Sequence, residues 1–199
     1  MIGAAALAAI LYGTMQDGGK KTAAGGACAA SAARAAAIAP YSRGEVAALA
    51  VSKRPQPAAD ISFEGPDGAT RTLADFRGKA ILVNLWATWC LPCRAEMPAL
   101  DRLQAAAGGA DFEVVAINID TARLERRKTF LEEAGVKSLA FYADPKADVF
   151  QVLKRAGKAV GLPTTILIDA DGCELGVMAG PAEWDSEDAK QLISAAVKR

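Results

Sequence analysis

The feature that most constrains this chain is a pair of cysteines separated by two residues, Cys90 and Cys93. The apolar run just before them, 81–86, predicts a buried β-strand. The residues just after them, 94–103, predict a helix. In such a strand–turn–helix context, a Cys-x-x-Cys pair is a redox dithiol more often than a structural one. The unpaired N–H groups and the dipole at the helix start favour a thiolate at the first cysteine.

The overall composition excludes several classes of function. The chain has 199 residues, with 23 basic and 23 acidic side chains and no histidine. It lacks the basic excess of a nucleic-acid-binding protein, so we expect no nucleic-acid partner. Without histidine there is no imidazole metal ligand and no imidazole general base. We therefore expect neither a metal nor a cofactor.

A structural zinc site is the main alternative for the Cys-x-x-Cys pair. Such a site needs four ligands, and the two that are missing could come only from Cys28 and Cys173. This alternative is disfavoured because those two cysteines have no local ligand partner and no histidine accompanies them.

Cys28 and Cys173 complete an even cysteine count, which suits a structural disulfide in an oxidising compartment. Cys28 lies in a flexible-looking polar stretch, where a buried free thiol would be unusual. The alternative is that the two are unrelated buried thiols.

The first fifteen residues carry no charged side chain, and the first charge is Asp17. This run is short for a membrane span, which needs about 20 residues, and it lacks the basic start of a signal peptide. It is interpreted as part of a membrane anchor, as a signal core or as an ordinary alanine-rich helix. Three regions follow: an apolar segment with a linker at 1–27, a helical extension at 28–59 and the main domain at 60–199.

Alternating strand and helix patterns predict an α/β fold with a mixed sheet. Asp-Gly pairs at 67–68 and 171–172 predict two hairpins. A buried strand is expected at 112–119 and a short one at 139–142. Helices are expected at 28–50 with a break at Pro40, at 124–134, from Asp144 onward and at 186–197.

Three groups of residues together resemble the TlpA-like, membrane-tethered periplasmic branch of the thioredoxin superfamily. They are 75–79 (Asp-Phe-Arg-Gly-Lys), 83–96 with its Trp-Cys-x-x-Cys, and 161–164 (Gly-Leu-Pro-Thr). The insertion at 121–156, the segment 180–184 and the outlying cysteines are also similar. The resemblance implies a thioredoxin-like sandwich, with a mixed central sheet flanked by helices, an N-terminal helical extension and a central insertion.

The resemblance also implies a function. A member of this branch reduces protein disulfides outside the cytoplasm, in the periplasm, and is tethered to the inner membrane by its N-terminal segment. The implied substrates are a copper-site subunit of cytochrome oxidase, a Sco-type copper chaperone or an apocytochrome c. The implied electron donor is a membrane dithiol protein, and the chain itself is expected to be a monomer.

Catalytic roles follow for four residues. Cys90 is expected to attack the substrate disulfide and Cys93 to resolve the mixed disulfide. The resemblance implies that Pro163 is a cis-proline facing the dithiol; an ordinary trans turn is the alternative. Glu96 lies about one helical turn past Cys93 and is expected to tune the thiols or to accept a proton, unless it is simply solvated.

Substrate binding is expected at Trp89, Leu91, Pro92, Leu162 and Thr164. The backbone of Leu162 would pair with an extended substrate, and Pro92 removes an N–H donor near the sulfurs. Trp86 is expected in the core and Trp89 at the surface. Asn84 departs from cytoplasmic thioredoxins, which carry a buried Asp there, and an amide cannot take up a proton.

Two other functions stay open. A copper-binding metallochaperone of the Sco type needs a Cys-x-x-x-Cys pair and a histidine, neither of which this sequence has. A disulfide oxidase or isomerase would need a less reducing dithiol.

Overall fold

An eight-stranded mixed sheet forms the centre of the computed structural model, which describes residues 26–198. Its strands are β1 (Ala50–Val51), β2 (Ser62–Glu64), β3 (Thr70–Thr72), β4 (Ala80–Trp86), β5 (Phe112–Asn118), β6 (Tyr142–Ala143), β7 (Thr164–Ile168) and β8 (Glu174–Ala179). Their order across the sheet is β1-β8-β7-β4-β5-β6-β2-β3. The pairs β4–β5 and β5–β6 are parallel and the others antiparallel, which confirms the predicted mixed sheet.

Five helices accompany the sheet in the described part of the chain. They are α1 (Ser31–Ile38), α2 (Leu91–Ala107), α3 (Arg126–Glu133), α4 (Asp148–Arg155) and α5 (Glu187–Val197). Helix α5 packs against α1 and α2, while α1 also contacts β8 and α2 contacts β5. All residues of β4 and β7 are buried, as expected for strands covered on both faces. Short 3₁₀ turns lie at Ala39–Tyr41, Gly44–Val46 and Leu73–Phe76.

The helix after the cysteines is longer than predicted. It begins at Leu91 rather than Arg94, because Pro92 fits the first turn, where its missing N–H would have no partner anyway. It continues through Pro98 to Ala107, since Met97, Leu100 and Leu103 keep one face buried along its length. The stabilisation from burying this apolar face exceeds the cost of the backbone hydrogen bond that Pro98 cannot make.

The N-terminal extension is part of the packed molecule. Its helix stops at Ile38, next to the 3₁₀ turn that contains Pro40. The predicted helix to residue 50 is wrong, because Ala50 and Val51 instead pair with β8 at the edge of the sheet. Val46 and Leu49 are buried in the common core. The division of the chain at residue 60 stays a prediction.

Cys28 and Cys173 form a disulfide that joins this extension to the β7–β8 hairpin, with a Cα–Cα distance of 5.8 Å and 145 residues between them. Beside it, Arg34 donates to the buried carboxylate of Asp169 at 2.9 Å. In the chain-entropy account, closing a loop of this length stabilises the fold by about 5 kcal/mol. The extension is therefore fixed to the sheet by a covalent bond as well as by packing.

Three boundaries differ from the sequence predictions. Helix α3 is shorter at both ends than 124–134, and β6 lies at Tyr142–Ala143 rather than at 139–142. Asp144 does not begin α4; it reaches forward from four residues before the helix and accepts from Val149 N–H at 2.7 Å. The Ser186 cap is confirmed, since its hydroxyl accepts from Ala189 N–H.

No helix within residues 26–198 has both the length and the apolar character needed to cross a bilayer. The apolar segment interpreted as an anchor, 1–15, lies outside the described residues.

Candidate active site

Cys90 and Cys93 form a disulfide at the carboxyl end of β4, with an S–S distance of 2.03 Å. Cys90 is the N-cap of α2, and its Sγ accepts from Cys93 N–H at 3.3 Å. Cys90 is 6% exposed and Cys93 fully buried. Only the first sulfur is therefore accessible to a partner, as the sequence predicted.

The helix start favours a negative charge on Cys90 once the bond is reduced. The N–H of Cys93 already points at the Cys90 sulfur, and a thiolate would accept it more strongly than a disulfide sulfur does. The dipole of the 17-residue helix α2 adds to this effect. Pro92, in the first turn, offers no N–H and limits the number of donors.

An exposed apolar surface flanks the dithiol. Trp89 is 68% exposed and Leu91 is 72% exposed, whereas Trp86 is buried in the core. Large hydrophobic side chains are thus exposed on both sides of the Cys90 sulfur, where the sequence predicts substrate binding. Pro92 is exposed beside them.

Pro163 lies at the same end of the sheet as the dithiol. The Leu162–Pro163 peptide bond is cis. Thr164 pairs with Leu85 in the β4–β7 register, which brings the start of β7 beside the end of β4. Within residues 26–198, the backbone of Leu162 makes no hydrogen bond and is free to pair with an added strand.

Thr164 is fully buried, and its hydroxyl donates to the carbonyl of Gly161 at 2.7 Å. The hydroxyl therefore holds the turn before β7, and the substrate contact expected of Thr164 stays a prediction.

Glu96 is a buried acid rather than a solvated one. It is 3% exposed, and three donors converge on its carboxylate: Asn84 Nδ2 at 2.8 Å, Ala182 N at 3.1 Å and Trp184 Nε1 at 3.2 Å. Burial raises the pKa of Glu96 to about 7, although these three hydrogen bonds act in the opposite direction. The carboxyl can therefore gain or lose a proton near neutral pH, one helical turn from Cys93.

Asn84 supports Glu96 from β4. Its Nδ2 donates both to Glu96 and to Thr165 Oγ1, the latter at 3.0 Å. Its Oδ1 has no hydrogen-bond partner among the described residues. Because Asn84 does not titrate, Glu96 is the proton-exchanging member of this pair.

A protein-family model described as Redoxin matches residues 53–193, which is more than half of the chain. The chain belongs to the redoxin family. The match spans the dithiol, Glu96 and Pro163, but begins after α1 and Cys28.

Curated relatives of this redoxin are named as a thiol-disulfide oxidoreductase and as a thioredoxin-like protein. The chain is 34% identical over 137 residues to the thiol-disulfide oxidoreductase ResA of Geobacillus thermodenitrificans, covering 68% of this chain and 74% of the relative. It is also 34% identical over 138 residues to the thioredoxin-like protein YneN of Bacillus subtilis, covering 66% and 72%.

Solved structures give the same result for the redoxin fold. A putative thiol:disulfide interchange protein DsbE from Chlorobium tepidum superposes with a TM-score of 0.60 at 32% identity, covering 71% of this chain and 96% of that chain. The predictions of a thioredoxin-like sandwich and of a TlpA-like member of the thioredoxin superfamily are confirmed.

Two residues of the redoxin site were missed by sequence reasoning. Asp120 is buried and accepts from Thr88 N–H at 3.1 Å, which fixes the turn before Cys90. Its position just after β5 was a usable signal, because β4 and β5 are parallel and end at the same edge of the sheet. Trp184 donates to Glu96 across 88 positions, and no local pattern joins two residues so far apart.

Proposed function

We propose that this redoxin is a thiol:disulfide oxidoreductase that acts as a reductant of protein disulfides outside the cytoplasm. The observation that carries the proposal is the Cys90–Cys93 disulfide at the N-cap of α2, with Glu96 buried one turn further on. The name of the relative ResA, a thiol-disulfide oxidoreductase, supports thiol-disulfide exchange as the chemistry.

The reaction begins with the reduced dithiol. The Cys90 thiolate attacks one sulfur of the substrate disulfide, a Cys90–substrate bond forms, and the substrate's other sulfur leaves as a thiolate. The helix start stabilises the Cys90 thiolate, which is the form that attacks.

The second step releases the substrate. Cys93 loses its proton, its sulfur attacks Cys90 Sγ, and the second substrate sulfur leaves. The Cys90–Cys93 disulfide forms, which is the oxidised state seen in the structure. Two electrons pass from the dithiol to the substrate, and the two substrate thiolates take up two protons. Glu96, whose pKa is about 7, accepts the proton of Cys93.

Substrate docking uses the surface around Cys90. An extended segment of the substrate pairs with the free backbone of Leu162 beside Pro163, and its apolar side chains contact Trp89, Leu91 and Pro92. The turn at Thr164 holds this edge in place.

The cellular setting is proposed from the resemblance stated for the sequence. The substrates are a cytochrome oxidase copper-site subunit, a Sco-type copper chaperone or an apocytochrome c, and a membrane dithiol protein returns the electrons. The chain works in the periplasm as a monomer, tethered through its N-terminal segment. The Cys28–Cys173 disulfide suits an oxidising compartment.

Insulin reduction combined with a copper-binding assay tests this function. The reduced protein is expected to reduce the insulin disulfides catalytically with a chemical dithiol as electron source, and to retain no Cu(I) or Cu(II) after gel filtration. Retention of one copper ion per chain without insulin reduction would instead indicate a Sco-type metallochaperone.

A further inference from the structure

A groove with an excess of basic side chains lies next to the dithiol. Two adjoining cavities of about 340 and about 330 Å³ share Thr88 and Arg126 in their walls. We call their joint space the basic groove and define it by six of its lining residues: Thr88, Trp89, Arg94, Arg123, Arg126 and Phe130.

The groove borders the reactive sulfur. Trp89 directly precedes Cys90, and Arg94 directly follows Cys93. The Arg94 guanidinium lies 5.0 Å from the centre of the Phe130 ring, and that ring packs against Trp86 at 5.6 Å. Two lining residues of the groove therefore flank the Cys90–Cys93 pair directly in the chain.

The charge of the groove is not balanced within the described residues. Arg94, Arg123 and Arg126 form no ion pair with any carboxylate in 26–198. Glu133 is the one acidic side chain among the cavity-lining residues of this described region. Because the whole chain has no net charge, this excess is a local property of the surface beside the dithiol.

We propose that the basic groove binds an acidic segment of the substrate protein, adjacent in sequence or in space to the disulfide that is reduced. The inference rests on the proposed function, because it names a property of the substrate of that same site. Guanidinium groups form paired hydrogen bonds with carboxylates, and complementary charge at the rim of an interface raises the association rate. Trp89 and Phe130 provide apolar walls for the backbone of that segment.

Peptide disulfides that differ only in flanking charge test the groove. One peptide carries Asp and Glu beside its disulfide and the other carries Asn and Gln at the same positions. With the full-length reduced protein at low salt, we expect the acidic peptide to be reduced about tenfold faster, with the preference shrinking as salt rises.

Charge variants assign the preference to the groove. With R123Q/R126Q, the rate of reduction of the acidic peptide is expected to fall to about that of the amide peptide. The matched control is K53Q/R54Q, which removes two exposed basic charges just after the edge strand β1 that form no ion pair within residues 26–198. It should keep the wild-type preference.

The outcomes separate this proposal from the proposed function. Equal rates of reduction of both peptides by the wild type would overturn the proposed role of the groove but leave the proposed reductant function standing. Failure to reduce either peptide overturns both. A preference that survives in R123Q/R126Q also overturns the groove. The groove proposal is also overturned if the wild type shows no peptide preference and R123Q/R126Q loses binding to phosphatidylglycerol vesicles. That result would assign the basic side chains to binding a membrane surface.

Discussion

Replacing Cys90 by serine is expected to slow the reduction of insulin by roughly a thousandfold or more, the scale of loss seen when a catalytic nucleophile is removed. A serine hydroxyl stays protonated near neutral pH, even at the start of α2, so no nucleophile remains at the only accessible sulfur position. The measurement is the initial rate of insulin reduction under a fixed supply of chemical dithiol.

Cys93→Ser is the paired variant. It retains the Cys90 nucleophile but cannot resolve the mixed disulfide, so it should accumulate a covalent complex with insulin that a strong reductant releases. The assignment of roles would be contradicted if Cys90→Ser trapped substrate and Cys93→Ser did not.

A second large effect is expected from Glu96 on the pH dependence of stability. Its pKa rises from 4.5 to about 7 in the folded protein because the carboxyl is buried. Between these two values the folded state holds a proton that the unfolded state has released. The free energy of unfolding therefore falls as pH rises through this window, and Glu96 accounts for about 3 kcal/mol of that fall. Above the folded pKa, Glu96 causes no further change in stability with pH.

Urea unfolding of the oxidised protein at pH 5 and pH 8 measures this effect. In Glu96→Gln, the difference in the free energy of unfolding between pH 5 and pH 8 should shrink by about 2.5 kcal/mol. The variant should also be less stable than the wild type at pH 5: its amide oxygen can accept from Ala182 N–H and Trp184 Nε1–H, but its NH2 group then faces the Asn84 Nδ2 donor. Glu132→Gln, an exposed carboxyl on α3, is the control and should keep the wild-type slope. An unchanged slope in Glu96→Gln would show that Glu96 is not the group responsible.

The parts of the fold that the sequence predicted well are those determined by local patterns. The continuous apolar run of β4, the Asp-Gly hairpins and the Ser186 cap each follow from neighbouring residues. The two largest errors concern 44–51 and Asp144. Pairing with β8 overrides the helical preference of the alanine-rich segment. Asp144 has the chemistry of a cap but acts from before the helix.

The candidate site shows the same division between local and distant information. The positions of Cys90, Cys93 and Glu96 follow from helical spacing, so the sequence alone brings these three residues together. The burial of Glu96 does not follow from it, because its donors come from β4 and from residues 182–184. The sequence also did not predict the basic groove, because the segment 121–130 shows only a helix pattern. The fold then places that segment beside Trp89.

The reduction potential of the Cys90–Cys93 pair tests the central claim most directly. It is measured by equilibration with glutathione or dithiothreitol, with Cys28 and Cys173 left paired. A reductant requires a value near that of thioredoxin, about −270 mV. A value above about −150 mV, close to that of strong disulfide oxidants, would contradict the assignment of this dithiol as a reductant.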